Sequence, residues 1–249
     1  MLRVGLTGGL GSGKSTVAAM LRELGAQVTE SDALGRALME PGQPVYEEIV
    51  RNFGPEVVNP DGRLNRARLA EIAFRQGRLQ ELNSIVHPPV IEAQKRWMDE
   101  IVAHDPNAVA VVESALIFEV VRDARARGER EGALADWRRR IDRIIVVTAP
   151  DEVKVARYAA RVIASDPGGN RPTAGREAVA SGEGSSSPGR EAVEADARQR
   201  LAHQVPDSEK AAQADYVLDN SGDMAALQAQ VRALWPRLLE ASMAEGNKF

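Results

Sequence analysis

With 249 residues, 43% of them hydrophobic and 27% charged, the chain has the composition of a soluble globular protein and length for one large domain or a core with insertions. A net charge of −4 argues against a mainly electrostatic nucleic-acid binder, and the lack of cysteine excludes disulfides, thiolate metal sites and cysteine nucleophiles. No apolar run reaches membrane-spanning length, and the first is short and leads into glycines rather than a cleavage site, so the expected location is cytoplasmic, with no membrane partner.

The first element is "LRVGL", Leu2 to Leu6, a short strand. "LTGGLGSGKST" follows, and the spacing Gly8-x-x-x-x-Gly13-Lys14-Ser15 is that of a phosphate-binding loop. "STVAAMLRELGA" then has helical periodicity through Val17, Met20, Leu21 and Leu24, with Gly25 where a helix should stop. Strand, glycine loop and helix come in the order that this chemistry needs. Glycines let successive backbone N–H groups converge on one anion, and the helix adds its positive N-terminal end. The loop Gly9, Leu10, Gly11, Ser12, Gly13, Lys14, Ser15 and Thr16 is therefore read as a nucleoside triphosphate site. Lys14 supplies a mobile charge for the β- and γ-phosphates, Ser15 a hydroxyl for Mg²⁺, and Thr16 one for a phosphate. A dinucleotide fingerprint does not fit, because Gly9, Gly11 and Gly13 are evenly spaced.

Further along, Gln27 to Thr29 is a brief extended run, and a helix begins near Ser31-Asp32 and ends before Pro41-Gly42. Residues 45–100 read as predominantly helical. Strands are expected at Ala108 to Glu113, Arg143 to Ala149 and Ala214 to Gly222, and a long amphipathic helix from about Met224 closes the chain. Apolar strands separated by helices predict an α/β fold with a mostly parallel sheet covered on both faces. Residues 121–140 are densely and alternately charged and read as a solvated helical face. Residues 165–193 are rich in Gly, Ser and Pro, repeat "GREAV" at 175–179 and 189–193, and read as a mobile insertion. Glu113 ends its strand where it can orient a metal-bound water or simply cap the strand's exit. Arg36, one turn after Asp32 on the same helical face, is placed for a substrate phosphate or for a surface salt bridge.

"LTGGLGSGKSTVA", "SDALGRALMEPGQPVY", "HPPV" at 87–90, "ESALIFE" at 113–119 and "DYVLDNSG" together resemble the dephospho-CoA kinase family in order and spacing over most of the chain. The resemblance implies a three-layer α/β/α P-loop kinase core with a parallel sheet, a helical substrate-binding insertion and a mobile lid. The core would take residues 1–34, 105–150 and 207–249, the acceptor-binding helices 35–104, and the lid 151–206 with the insertion 165–193. The implied reaction is transfer of the ATP γ-phosphate to the ribose 3′-hydroxyl of dephospho-CoA, with Mg²⁺ as cofactor and ATP and dephospho-CoA as the small-molecule partners. Asp32 matches the family's catalytic aspartate, and His87 a substrate-side position. Arg157 and Arg161 match lid arginines that close over ATP, a task that suits planar guanidinium forks. Because a carboxylate is a weak base, orienting the acceptor hydroxyl is the larger contribution expected of Asp32. Two residues depart from the family pattern, namely Glu30 two places before Asp32 and Ala115 where proline is usual. The residues themselves leave open another small-molecule kinase, acting on a nucleoside or nucleotide, and a nucleotide-dependent regulatory ATPase.

Overall fold

The short apolar runs become the five strands of one parallel sheet. In a computed structural model that describes residues 1–165 and 189–246, these are β1 (Leu2–Gly8), β2 (Gln27–Glu30), β3 (Val109–Glu113), β4 (Arg143–Thr148) and β5 (Tyr216–Asp219). Their spatial order is β2-β3-β1-β4-β5, with every neighbouring pair parallel. The helices are α1 (Lys14–Glu23), α2 (Ser31–Leu38), α3 (Pro44–Phe53), α4 (Arg66–Arg75), α5 (Leu79–His104), α6 (Ile117–Ala126), α7 (Asp151–Ser165), α8 (Arg190–His203), α9 (Asp207–Ala211) and α10 (Met224–Gly246). None of the described helices is long and apolar enough to cross a membrane.

The two-residue alternation of β-strands builds the layers. Ile145 and Val147 of β4 point into a core with Val17 and Leu21 of α1 and Leu227, Val231, Leu234 and Leu238 of α10. Ile144 and Val146 point the other way, against Ile117, Phe118 and Val121 of α6. On that same side Ala110 and Val112 of β3 meet Met98 of α5. Each Leu, Ile or Val buried this fully contributes about 1.5–3 kcal/mol, so the three layers form a rigid frame. The loop after β1 runs to α1 on one face, and the loop after the adjacent β3 runs to α6 on the other. Diverging connections of this kind open a crevice beyond the carboxyl ends of the strands, where ligands of such sheets bind. The register also aligns Glu30 with Glu113 across β2 and β3.

Helices α3 to α5 have an apolar centre of their own, made by Val45, Ile49, Phe53, Val57, Leu64, Leu69, Ile72 and Ile85. The long α5 passes through Pro88 and Pro89 without ending, although neither can donate to the helical ladder.

Two expectations need correction. Residues 121–140 are not a solvated helical face. Helix α6 stops at Ala126, and the rest is a loop and a short 3₁₀ turn, Trp137–Arg139, that bury Ala135, Trp137 and Arg140. The ring of Trp137 meets that of Phe118 edge-on at 6.1 Å, and this contact ties the charged segment to the core. The insertion expected at 165–193 falls mostly on 166–188, outside the described residues. Its C-terminal end lies elsewhere, because α8 begins at Arg190 and Val193 is fully buried. Val193 and Ala197 of α8 lie buried beside Val155 and Ala159 of α7.

Candidate active site

A left-handed backbone makes the glycine loop. Gly11 (φ 76°) and Gly13 (φ 97°) occupy a region that side chains disfavour, and at Gly13 a Cβ would collide with the amide nitrogen of Asn220. That amide, Nδ2, donates to the Ser12 carbonyl at 2.8 Å in a buried setting. The outer limb of the loop is held from the other side. Asp207 Oδ1 accepts from the Gly9 N–H at 3.1 Å, and Gln204 Oε1 accepts from the Leu10 N–H at 3.0 Å. Asp207 is itself paired with buried Lys154 at 2.8 Å. The first turn of α1 then brings the Lys14 and Ser15 amides to the loop's mouth.

Lys14 Nζ donates to the carbonyls of Gly8 (3.0 Å) and Gly9 (2.9 Å). Burial pushes its ammonium down to about 8, against the pull of Glu113, Asp32 and Asp207. Ser15 Oγ donates to Glu113 Oε1 at 3.0 Å. Burial raises the Glu113 carboxyl above the usual range, with the Ser15 hydrogen bond and Lys14 opposing, and Glu30 and Asp32 adding to the rise. Its second oxygen, Oε2, is buried with no hydrogen-bond partner among the described residues.

These groups surround a cleft of about 430 Å³ lined by Leu10, Gly11, Gly13, Lys14, Ser15, Thr16, Glu30, Asp32, Arg36, Glu113, Ser114, Ala115, Arg157 and Arg161. A second cavity of about 340 Å³ adjoins it, and Asp32, Arg36 and Ser114 line both. His87 lies in this second cavity with Leu116, Val86, Val90 and Val120. Desolvation holds the His87 imidazole well down, to about 4, so the ring is neutral near pH 7. Of the residues read from the sequence as binding or catalytic, Gly9 and Ser12 line neither chamber. Gly9 is turned to Asp207, and Ser12 is fully buried. Arg157 Nη1 donates to the Asn220 carbonyl at 2.9 Å, which moors α7 to the end of β5.

Sequence reasoning missed Asn220, Gln204, Asp207, Lys154 and Lys210. The last is fully buried. Its Nζ pairs with Glu119 at 2.8 Å and donates to the Ala115 carbonyl at 3.3 Å, so it fixes the loop after β3. Removing one partner of such a pair leaves a buried charge uncompensated, at a cost of about 3–5 kcal/mol. Only the Asn in "DYVLDNSG" carried a signal, as the polar residue directly after an apolar strand end.

The dephospho-CoA kinase (CoaE) family model matches residues 2–167. A dephospho-CoA kinase from Moorella thermoacetica is 34% identical over 239 residues, covering 96% of this chain and 92% of the relative. Among solved structures, TT1252 from Thermus thermophilus aligns with a TM-score of 0.63 at 31% identity, covering 95% of this chain and 97% of the other. The dephospho-CoA kinase of Campylobacter jejuni shares the fold at a TM-score of 0.52 and 18% identity, covering 94% and 96%.

Proposed function

The chain belongs to the dephospho-CoA kinase family, and from that premise we propose that its two chambers are the donor and acceptor halves of one phosphotransfer site. The family's reaction is ATP-dependent phosphorylation of dephospho-CoA in coenzyme A synthesis. The finer reading is that ATP fills the cleft beside the glycine loop, and that dephospho-CoA enters the adjoining cavity with its ribose 3′-hydroxyl toward Asp32.

The observation that carries this reading is the shared wall. One carboxylate, Asp32, faces both chambers, so a group aligned there meets an alcohol from one side and a phosphoryl group from the other. Backbone amides and Lys14 hold the triphosphate. Lys14 is poised to exchange the Gly8 and Gly9 carbonyls for phosphate oxygens, and a polyanion would restore its full charge. Arg157 and Arg161 supply cationic donors in the wall of the same cleft, where they offset charge on the transferring group and exclude water. Asp32 orients the hydroxyl for in-line attack and accepts its proton as the new O–P bond forms and ADP leaves.

The donor set fits magnesium. The Ser15 hydroxyl lies beside Glu113, whose second oxygen has no hydrogen-bond partner among the described residues; Ser15 would bind the ion directly and Glu113 would hold a water on it. When bound, the ion neutralises charge on the β- and γ-phosphates. By the same reading residues 35–104, with their separate apolar centre, are the acceptor side, and α7 to α8 form the lid.

The test is ADP formation by the purified chain with ATP and Mg²⁺ against a panel of alcohols: dephospho-CoA, adenosine, nucleotides and shikimate. Dephospho-CoA should give the highest kcat/KM, with one ADP per coenzyme A. ADP released equally fast without any acceptor, or a better alcohol in the panel, would overturn the assignment.

A further inference from the structure

The acceptor cavity is lined by a buried cation, Arg140. Arg140 follows the 3₁₀ turn Trp137–Arg139 and lines this cavity with His87, Asn83 and Gln94. Only 9% of the residue is exposed. Its Nε and Nη2 are buried and have no hydrogen-bond partner among the described residues. Its backbone is fixed, since the Arg140 N–H donates to the Trp137 carbonyl at 2.9 Å.

A buried guanidinium with two idle donors is expensive, so the fold tolerates it only where something else compensates. Desolvation presses its pKa down to about 10, with only Asp136 pulling the other way, and the group still carries its proton at neutral pH. Nε–H and Nη2–H form one edge of the guanidinium, and they point in parallel. Both atoms are shielded as the side chain stands, so the guanidinium must turn toward the cavity to present this fork, which matches a pair of acceptor oxygens on one anionic group. It does not match an edge of adenine, where each ring acceptor stands alone or beside an amino donor. The uncharged His87 cannot supply a second positive charge here, but Arg36 and Arg66 line the same cavity.

We propose that Arg140 is a specificity-determining residue of the acceptor site, binding non-bridging oxygens of the acceptor's 5′-diphosphate while Asp32 takes the ribose hydroxyl. The assignment rests on the reading of this cavity as the acceptor half. A nucleoside held at both points is fixed in position and orientation, and an alcohol without the diphosphate is held at one point only.

The experiment compares wild type, Arg140→Met and Arg140→Lys, with dephospho-CoA and with adenosine as acceptors, each at saturating ATP and Mg²⁺. Arg140→Met fills similar volume and removes an unpaired buried charge, so its thermal midpoint should equal or exceed that of wild type. Its kcat/KM for dephospho-CoA should fall about 100-fold, mainly through KM, while that for adenosine and the KM for ATP stay within about twofold. Arg140→Lys keeps the charge but not the fork and should recover only part of the loss. An equal fall with both acceptors would overturn the proposal, because the group would then serve the fold or the adenosine moiety. So would no fall at all. Failure of the wild type to phosphorylate dephospho-CoA would instead strike the parent reading of the cavity, and the two failures are told apart by that control.

Discussion

The Ser15 hydroxyl donates to Glu113 Oε1 at 3.0 Å, joining the first turn of α1 to the end of β3 across 98 positions of sequence. This contact joins the phosphate loop to a strand whose exit, at Ser114, also lines the second cavity.

Glu113→Gln tests that link, because it keeps an acceptor for Ser15 while removing the charge. The magnesium concentration for half-maximal ADP formation should rise about 10- to 100-fold, with KM for dephospho-CoA unchanged. A magnesium titration of the variant checks this. An unaltered magnesium midpoint would mean that Glu113 only shapes the strand's exit.

Lys14 costs the unliganded protein stability. Its folded-state pKa is about 8 through burial, against an ordinary 10.5, so the folded chain releases this proton before the unfolded chain does. Stability therefore rises with pH between about 8 and 10.5, and below 8 the buried charge costs about 3 kcal/mol. Lys14→Met should lose at least 1,000-fold in kcat/KM yet match or exceed the wild-type urea midpoint at pH 7. That advantage should shrink as pH is raised toward 10. Paired urea titrations at pH 7 and 9.5 measure it.

His87 gives a second pH signature at the acid end. Burial lowers its pKa to about 4 from an ordinary 6.5, so the unfolded chain takes up the proton first as pH falls. Wild type should lose about 2 kcal/mol between pH 6.5 and 4 that His87→Gln does not lose. Because the ring is neutral above pH 5, it should add no limb to the kcat profile between pH 5.5 and 8. Urea midpoints at pH 6.5 and 4.5, with a pH–rate profile, check both statements.

Asn220 and Gly13 form a fourth test. Asn220→Ala leaves the Ser12 carbonyl unpaired, which should cost about 1–3 kcal/mol and weaken ATP binding about 10-fold. Gly13→Ala places a methyl against the Asn220 amide and in left-handed backbone, with a further strain of about 1–2 kcal/mol. Gly13→Ala/Asn220→Gly should relieve the clash but not the strain, leaving ATP affinity below wild type. Calorimetric titration with ATP and Mg²⁺ would show it.

Much of this site is written in local sequence pattern. The phosphate loop announces itself because converging amides demand glycine, and such a loop must sit between a strand and a helix. Strand ends after "AVAVV" and before Asp32 point to the carboxyl edge of a parallel sheet, where Asp32, Glu113 and Ser15 indeed converge. Other residues left no local pattern. Lys154, Gln204, Asp207 and Asn220 reach the loop from segments roughly 140 to 210 positions away, and Lys210 reads as one more surface lysine until its burial is seen. The charged segment misled for a related reason. Its alternating signs suit a solvated helix, yet Trp137 and Ala135 dock on the core, and Arg140 is carried inward with them.

In the proposed reaction Asp32 aligns the acceptor alcohol against a triphosphate held by the amide loop and Lys14. The most direct measurement is a crystal structure of the full chain with dephospho-CoA, Mg²⁺ and a non-hydrolysable ATP analogue. The ribose 3′-oxygen should lie about 3–3.5 Å from the γ-phosphorus, with an Asp32 carboxylate oxygen in hydrogen-bonding reach of it. A 3′-oxygen in line with the γ-phosphorus but held by other groups, with Asp32 facing solvent, would contradict the account.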